Sequence, residues 1–556
     1  VPAGTTILEA ARAAQIDIPT LCKHPDVDPS AGCGMCIVKV NGRVLRSCCT
    51  PVAEGMEVIT GDAEIVNVRR TVLELILSNH PNECLTCIRS GHCELQDLAN
   101  NFGIAHSKLP SLNKKYELDD STKSIVLDPS KCIVCGRCVE VCQNQQNVWA
   151  LSYLNRGLAT RISAAGGIKL ADSPCIKCGQ CSAHCPTGAI VEYDETQKVW
   201  EMLRDPNLIT IVQIAPAVRV AIGEEFGYDF GENLTGKTYA ALRRLGFDKI
   251  FDTNFGADLT IIEEASEFVS RFKENPDSLP MFTSCCPAWV RYVENKHPEL
   301  LPYLSTSKSP MEMFGSVLKE YYKPSDEECG LETFNVAIMP CTAKKMEAER
   351  EEFIRNGKPD IDAVLTTKEL ASMIRELGIQ FADLEPTAPD TPFSIRSGGG
   401  VIFGTSGGVT EAALRRLAER TNPALQEIRY SGVRGLEGIK KFTIEIGGRT
   451  VHTAVVSGLG NAETLIGLIE SGEEHFDFVE IMACPTGCIG GAGQPESFLE
   501  DKKKRSSGLY TADKSALVKR SDENPVVTKL YEDGVLKDRA KELLHVHYKA
   551  PTTSQS

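Results

Sequence analysis

The fold of the N-terminal part is decided by two stretches, CIVCGRCVEVC at residues 132–142 and CIKCGQCSAHCP at residues 175–186. Each carries cysteines in the pattern C-x2-C-x2-C-x3-C. This spacing suits cuboidal iron–sulfur clusters, with the fourth cysteine of each run ligating the other cluster, and it is not what a tetrahedral zinc ion needs. We therefore predict two 4Fe-4S sites: Cys132, Cys135 and Cys138 with Cys185, and Cys175, Cys178 and Cys181 with Cys142.

The composition defines the broad class of protein. The chain has 556 residues, which predicts three or four domains. Its net charge of −15 argues against binding to nucleic acid, and no apolar run reaches the roughly 18 residues of a membrane span. Its 22 cysteines recur in CxxC units of a long chain with ordinary apolar content. That pattern favours metal thiolate sites in a reducing compartment over a secreted disulfide scaffold, so we expect a cytoplasmic protein.

Four cysteines near the N-terminus form a first candidate site: Cys22, Cys33, Cys36 and Cys48. A single CxxC flanked by two isolated cysteines favours a plant-ferredoxin-like 2Fe-2S cluster, and a four-cysteine zinc site is the alternative. Cys48 and Cys49 are adjacent and only one is needed, and we choose Cys48. The chain begins at Val1 inside a helix-like run, so this domain is expected to be N-terminally incomplete.

A second candidate site combines one histidine with three cysteines: His80, Cys84, Cys87 and Cys93. Zinc bound by three cysteines and a histidine is the alternative, but iron–sulfur patterns flank the site on both sides and favour a 4Fe-4S cluster. A neutral imidazole in place of a thiolate makes the cluster less negative and is expected to raise its reduction potential. His92, beside Cys93, is interpreted as a bystander.

From about residue 199 onward, short apolar runs alternate with helical periodicity, which predicts an α/β domain. Three of these runs, 279–283, 334–339 and 478–482, lead into cysteines. Ligands bind at the carboxyl ends of strands in open α/β sheets, so we expect these loops to meet. Buried structural thiols are the alternative for any one cysteine alone. We predict one more cluster held by Cys286, Cys341, Cys484 and Cys488.

The motifs at these three places are FTSCCPAW (282–289), MPCTAKK (339–345) and MACPTGC (482–488). In this order they resemble the three signatures of FeFe-hydrogenases, and the resemblance extends over essentially the whole chain. It implies an H-cluster, which is a 4Fe-4S cube joined to a di-iron unit bearing CO, cyanide and a dithiolate. Cys488 would bridge the two parts and Lys344 would hydrogen-bond a cyanide. The resemblance also places Pro216, Ser309, Met339 and Met482 around the di-iron unit.

Protons need a route into such a site. Glu264, Glu267 and Arg271 share one face of a helix-like stretch, which in isolation is more typical of a solvated surface pair. The resemblance implies a relay that runs through Cys285, Glu264, Ser305, Glu267 and Arg271. A thiol suits its last step because it both donates and accepts a proton. Met311 departs from the family pattern, where Gln is frequent.

The predicted architecture is multidomain α+β and α/β, with ferredoxin-like N-terminal cluster domains followed by a two-lobed α/β catalytic domain. The predicted domains are a 2Fe-2S domain (1–61), a His-and-Cys 4Fe-4S domain (62–122), a two-cluster 4Fe-4S domain (123–197) and an H-cluster domain (198–556). The predicted cofactors are one 2Fe-2S cluster, three accessory 4Fe-4S clusters and the H-cluster.

The predicted function is reversible reduction of protons to hydrogen by a ferredoxin hydrogenase, with electrons relayed through the N-terminal clusters. Ferredoxin or NADH-oxidising subunits are the expected electron partners, because no convincing nucleotide-binding glycine motif occurs. H-cluster maturation factors are further expected partners, and a hydrogenosome matrix would replace the cytoplasm in a eukaryote. The alternative is a sensory or electron-transfer iron–sulfur protein related to hydrogenases or to the large subunit of complex I.

Overall fold

The structure, a computed structural model, describes residues 1–417, 433–446 and 448–549. They form two compact units. The first comprises Val1–Cys175 and Gln180–Glu192, and the second comprises Ile176–Gly179 and Tyr193–Ser556. The predicted combination of ferredoxin-like cluster domains with an α/β catalytic domain is confirmed.

The first unit is built from short elements around its cysteine loops. Its α-helices are Ile7–Ala13, Ala63–Ser78, Glu94–Asn101, Arg137–Glu140 and Gln180–Ala183, with a π-helical turn at Val141–Gln145. Its strands are Ile37–Val40, Arg43–Arg46, Val58–Ile59, Ile125–Leu127, Leu151–Leu154, Arg161–Ala164 and Ile190–Glu192. They pair into one three-stranded and two two-stranded sheets, so most of the chain between them is loop.

Side-chain hydrogen bonds hold the long helix of the first unit in place. Asp62 caps helix Ala63–Ser78 by accepting from the amide of Ile65 at 2.8 Å. Arg69 on this helix is buried, and its guanidinium donates to the carbonyls of Ile37 and Thr60. The helix is thereby tied to the strand that follows Cys36, and its other end leads to His80.

In its described residues, the second unit contains two four-stranded sheets and a hairpin. One is entirely parallel, in the order Ala363–Thr366, Glu332–Met339, Leu208–Ile214, Lys249–Asp252. The other is mixed, in the order Met281–Phe282, Phe478–Met482, Arg449–Ser457, Ile439–Ile446, and only its last pair is antiparallel. A separate hairpin pairs Ile354–Arg355 with Lys358–Pro359. The parallel strands have apolar runs because they are buried.

Helices surround both sheets of the second unit. They are Thr196–Met202, Thr235–Leu245, Asn254–Glu274, Pro287–Lys296, Pro310–Cys329, Ala343–Ala348, Thr367–Glu376, Gly398–Val401, Gly408–Leu417, Leu459–Glu470, Leu499–Ser515, Pro525–Glu532 and Ala540–Leu544. Among the described residues, none of the helices has both the length and the apolar character to cross a bilayer.

The three cysteine loops do not leave a single sheet. Strands Met281–Phe282 and Phe478–Met482 belong to the mixed sheet, whereas Glu332–Met339 belongs to the parallel sheet. The rule about strand ends holds for each sheet separately. The loops therefore meet between two sheets, which matches the two-lobed architecture.

Helix Asn254–Glu274, which carries the predicted proton relay, is positioned by two close contacts. A Cβ at Gly256 would lie 2.2 Å from the carbonyl oxygen of Pro310, so only glycine lets this helix approach helix Pro310–Cys329 so closely. Asp258 is fully buried and accepts hydrogen bonds from Ser397, Ser521 and Asn524. These contacts fix the position of the helix along its axis and its rotation about that axis.

Candidate active site

The second unit encloses an apolar cavity lined by five thiols. Cys286, Cys341, Cys484 and Cys488 line it from all three predicted loops, together with Cys285. Met311, Met339, Met482 and Pro216 form other parts of the wall. Burial, with a contribution from the neighbouring thiols, raises the pKa of Cys341 to about 11 and that of Cys488 to about 12. A cation or cluster is needed to hold four such sulfurs as thiolates.

This arrangement fits a large cluster better than a zinc ion. A tetrahedral zinc ion fills the space between its four ligands and needs no further cavity. Here the thiols share the cavity with three methionines and a lysine. The thioethers are soft, adaptable walls for a bulky metal group.

Two glycines bring the Cys488 loop against the Cys341 loop. A Cβ at Gly491 would lie 2.1 Å from the carbonyl oxygen of Pro340, and one at Gly493 would lie 3.0 Å from the carbonyl carbon of Pro340. Gly491 therefore packs on the backbone that precedes Cys341, and Gly493 packs against that backbone and the side chain of Thr366.

Lys344 supplies the positive charge of the cavity. Its Nζ donates to Oε2 of Glu347 at 2.6 Å and to the carbonyl oxygen of Cys285 at 3.3 Å. Burial lowers the pKa of Lys344, but the Glu347 carboxylate and the nearby thiols raise it by more, so the pKa lies above its ordinary value. Lys344 is therefore a charged donor inside an apolar cavity.

Ser309 contacts the cavity only indirectly, through Glu347. It is not among the residues that line the cavity. Its hydroxyl donates to Oε2 of Glu347 at 3.0 Å, the same oxygen that accepts from Lys344. Glu347 was not predicted from the sequence. The available signal was its position three residues after Lys344 on one helical face.

The outer half of the predicted proton relay is a connected set of hydrogen bonds. The hydroxyl of Ser305 donates to Oε2 of Glu267 at 2.8 Å, and Arg271 pairs with Oε1 of Glu267 at 2.6 Å. The side chains of Glu267 and Arg271 are each 13% exposed, so this end reaches solvent. The ion pair is not a fully solvated surface pair, because Arg271 also donates to the carbonyl of Leu304.

The inner half of the relay centres on Glu264, which is 1% exposed. The backbone of Ser284 and the side chain of Ser305 are polar neighbours of its carboxylate, but among the described residues no hydrogen bond of good geometry reaches either oxygen. Burial, together with the nearby carboxylates of Glu267 and Glu480, raises the pKa of Glu264 to about 8. Glu264 is also the group with the largest electrostatic effect on the thiol of Cys285. A carboxyl group that is neutral at neutral pH is thus available as a proton donor near the cavity.

The raised pKa of Glu264 predicts a pH dependence of stability. The folded state binds the proton of Glu264 more tightly than the unfolded state does. The resulting contribution to the free energy of unfolding is fully present below the ordinary pKa near 4.5 and is lost as the pH rises through about 8. Glu264→Gln cannot ionise, so its unfolding midpoint should fall less than that of the unsubstituted protein between about pH 5 and about pH 9.

Thermal unfolding of the cluster-loaded protein across this pH range measures the difference. Over this pH range, the unsubstituted protein should lose a few kcal/mol more of its free energy of unfolding than Glu264→Gln, since each pKa unit is worth about 1.4 kcal/mol. Glu328→Gln, at an exposed position of a neighbouring helix, is the control and should leave the pH profile unchanged. Parallel profiles for Glu264→Gln and the unsubstituted protein would contradict the prediction.

The first candidate site assembles around Cys22. The thiol of Cys22 lies within hydrogen-bonding reach of Cys33 and Cys48, and Cys48 lies within reach of Cys36. Cys49 is exposed, and its sulfur faces the carbonyl oxygen of Arg46 at 3.7 Å. The structure therefore brings Cys48, and not Cys49, to the other three thiols.

The second candidate site is a small pocket whose lining includes His80, Cys84, Cys87 and Cys93. Nε2 of His80 is buried and has no hydrogen-bond partner among the described residues. An orphaned imidazole nitrogen on a residue that shares a pocket with three thiols is what a ligand to a bound cluster provides. His92 does not line this pocket.

The third site is a pocket lined by Cys132, Cys135, Cys138 and Cys185, which is the predicted crossed set. For the fourth site, Cys142 and Cys175 both act electrostatically on the buried thiol of Cys181. Cys178 lies in the segment Ile176–Gly179 of the second unit, where its thiol acts on Cys484. Thr342, next to Cys341, donates to the carbonyl of Lys177 at 2.8 Å in this segment.

Comparisons with known proteins agree with this geometry. The family described as iron only hydrogenase large subunit, C-terminal domain, matches residues 208–492. A 2Fe-2S binding domain matches 1–63, an NADH-ubiquinone oxidoreductase-G iron–sulfur region matches 69–108, and a 4Fe-4S dicluster domain matches 131–189. The family described as iron hydrogenase small subunit matches residues 499–551.

Two relatives cover nearly the whole chain, and a solved structure covers about two thirds of it. The NADP-reducing hydrogenase subunit HndD of Solidesulfovibrio fructosivorans is 44% identical over 99% of this chain and 97% of its own length. Iron hydrogenase 1 of Clostridium pasteurianum is 41% identical over 98% of this chain and 97% of its own length. A solved structure of a variant of the FeFe-hydrogenase from Chlamydomonas reinhardtii is 39% identical and covers 64% of this chain and 99% of its own, with a TM-score of 0.56.

The fold and the site together define an iron–sulfur oxidoreductase with an electron-relay unit and a catalytic unit. The chain belongs to the iron-only, or FeFe-, hydrogenase family, as its motifs predicted. Its function is hydrogen catalysis with electrons relayed through N-terminal iron–sulfur clusters. It has 2Fe-2S and 4Fe-4S sites and an H-cluster site, and it acts with electron-transfer partners.

Proposed function

We propose that Cys286, Cys341, Cys484 and Cys488 would hold the cube of the H-cluster and that Cys488 would also hold its di-iron unit. The observation that carries the proposal is the grouping of these four thiols, from loops of two sheets, around one apolar cavity with a charged lysine. When bound, the cofactor supplies the place where protons and electrons combine into hydrogen. Lys344 would hold a cyanide of the bound cofactor, because its ammonium group lies in the cavity wall and is kept in place by Glu347.

The chain's own residues move protons to this cavity. Cys285 is the innermost proton carrier because its thiol lines the cavity. Among the charged groups, Glu264 has the largest electrostatic effect on this thiol. Glu264 holds a proton near neutral pH because burial raises its pKa. Ser305 is a polar neighbour of Glu264, and its hydrogen bond to Glu267, followed by the Glu267–Arg271 ion pair, continues the route to solvent. In hydrogen oxidation the same groups carry protons outward.

Electrons travel through one 2Fe-2S and three accessory 4Fe-4S clusters. The 2Fe-2S loop contacts the loop of the third site, since Ser30 donates to the carbonyl of Cys135 at 2.7 Å. The His80 site contacts it as well, since the amide of Glu94 donates to the carbonyl of Pro186 at 3.1 Å. Two outer clusters therefore feed one central cluster. Within the second unit, the thiol of Cys178 acts electrostatically on Cys484.

The electron partner is a ferredoxin or a subunit that exchanges electrons with a pyridine nucleotide. Similarity to an NADP-reducing hydrogenase subunit supports the second option, and the sequence has no convincing nucleotide-binding glycine motif of its own. Such a subunit would deliver electrons one at a time to the outer clusters. Maturation factors supply the di-iron unit, and the many thiolate sites suit a cytoplasmic, reducing environment.

An infrared spectrum of protein produced together with hydrogenase maturation factors tests the proposal. We expect bands from metal-bound CO and cyanide, and hydrogen production from a chemically reduced dye. Spectra without these bands, from protein whose iron–sulfur clusters are intact, would support the sensory or electron-transfer alternative instead. The partner is tested separately by reduction of the outer clusters with ferredoxin or with a pyridine nucleotide and its oxidoreductase.

A further inference from the structure

Arg137 lies at the junction of three cluster-binding loops. It stands between Cys135 and Cys138, and its side chain is 2% exposed. Its guanidinium makes a bidentate ion pair with Glu94, with one N–O distance of 2.7 Å, and donates to the carbonyl of Lys23 at 3.2 Å. Glu94 directly follows Cys93, and Lys23 directly follows Cys22. One side chain therefore touches the loops of the 2Fe-2S site, the His80 site and the third site.

The ion pair is electrically asymmetric. The Glu94 side chain is 35% exposed, whereas that of Arg137 is almost fully buried. Water screens the carboxylate more than the guanidinium, so the pair presents a net positive charge to its buried neighbours. Those neighbours include the thiols of Cys135 and Cys185, both proposed ligands of the third site.

We propose that Arg137 sets the reduction potential of the 4Fe-4S cluster held by Cys132, Cys135, Cys138 and Cys185, and that Glu94 moderates its effect. The inference rests on the proposed ligand sets. A buried positive charge next to a cluster stabilises the reduced form, which carries one more negative charge, and so raises the potential. The central cluster thereby collects electrons from both outer clusters, and Arg137 acts on it through its charge without being a ligand.

The ion pair makes two predictions of opposite sign. Arg137→Gln removes the cation, so the ratio of reduced to oxidised cluster at a fixed potential should fall at least about tenfold, which for one electron equals about 59 mV. Glu94→Gln removes the compensating anion, so the same ratio should rise. Arg137→Lys keeps the charge and should restore most of the ratio lost in Arg137→Gln.

The measurement is a potentiometric titration of the cluster-loaded protein followed by electron paramagnetic resonance. The relevant signal is the one removed by Cys138→Ser. Arg156→Gln, at an exposed position of the same unit, changes the net charge equally and should not shift the signal. Iron content is measured for each variant.

The outcomes separate the proposals. An unshifted potential in Arg137→Gln, or shifts of the same sign in Arg137→Gln and Glu94→Gln, overturns the role of Arg137 and leaves the ligand sets intact. Survival of every 4Fe-4S signal in Cys138→Ser overturns the ligand set, and the role of Arg137 with it. If Arg137→Gln does not assemble the cluster, Glu94→Gln and Arg137→Lys decide the question: a raised ratio in the first and a near-normal ratio in the second support the role, and any other pair of results overturns it.

Discussion

Cys285→Ala is expected to retain the H-cluster and to lose at least about a hundredfold of its turnover in both directions, the usual effect of removing a proton-transfer group. Cys285 is buried at 8% exposure and lines the cavity between the proposed ligand Cys286 and the helix that carries Glu264. Alanine keeps the backbone carbonyl that accepts from Lys344, so the wall of the cavity is preserved. What is lost is a side chain that exchanges a proton with Glu264.

Hydrogen evolution with a chemically reduced dye measures the turnover, and infrared bands of CO and cyanide measure the cofactor content. Cys329→Ala removes an exposed thiol of the same unit and should leave both unchanged. Cys285→Ser keeps a group that carries a proton, but the hydroxyl is a much weaker acid than the thiol. Its turnover should therefore lie between that of Cys285→Ala and that of the unsubstituted protein. Normal turnover in Cys285→Ala with a full complement of cofactor would contradict the relay.

The cluster ligands were largely predictable because thiolate spacing is a local property of the chain. The C-x2-C-x2-C-x3-C runs predicted the crossed set that lines one pocket of the first unit. The choice between Cys48 and Cys49 could not be argued from spacing, because the two adjacent residues lie in a turn and only folding buries one of them. The division of the strands between two sheets could not be predicted from the sequence either, since strand pairing is a long-range property.

Charged groups that act through other residues were the hardest to predict. Glu347 is an ordinary glutamate in the sequence, and its role appears only because helix Ala343–Ala348 directs it toward Lys344 and Ser309. Arg137 likewise looks like any residue between two cysteines until the contacts to Glu94 and Lys23 are known. Such roles depend on burial, which turns a weak surface charge into a strong local field.

Lys344→Gln is expected to assemble the cube and to fail to retain the di-iron unit. The ammonium of Lys344 is held by Glu347 at 2.6 Å and by the carbonyl of Cys285 at 3.3 Å. A charge-assisted hydrogen bond in an apolar cavity is worth more than a neutral one, and glutamine is shorter and uncharged. The substitution also leaves the buried Glu347 carboxylate without its cation, and Ser309 alone does not replace that charge.

The CO and cyanide bands, normalised to iron–sulfur absorbance, measure retention after maturation. We expect their intensity to fall at least about tenfold, since loss of one charged hydrogen bond costs about 1.5–3 kcal/mol. Lys537→Gln, at an exposed position, is the matched control and should retain full intensity. Glu347→Gln should fall between the two, because it leaves the ammonium in the cavity but loosens its position. Full band intensity in Lys344→Gln would mean that shape and the four thiolates alone hold the di-iron unit, and that the charge of Lys344 serves only the fold.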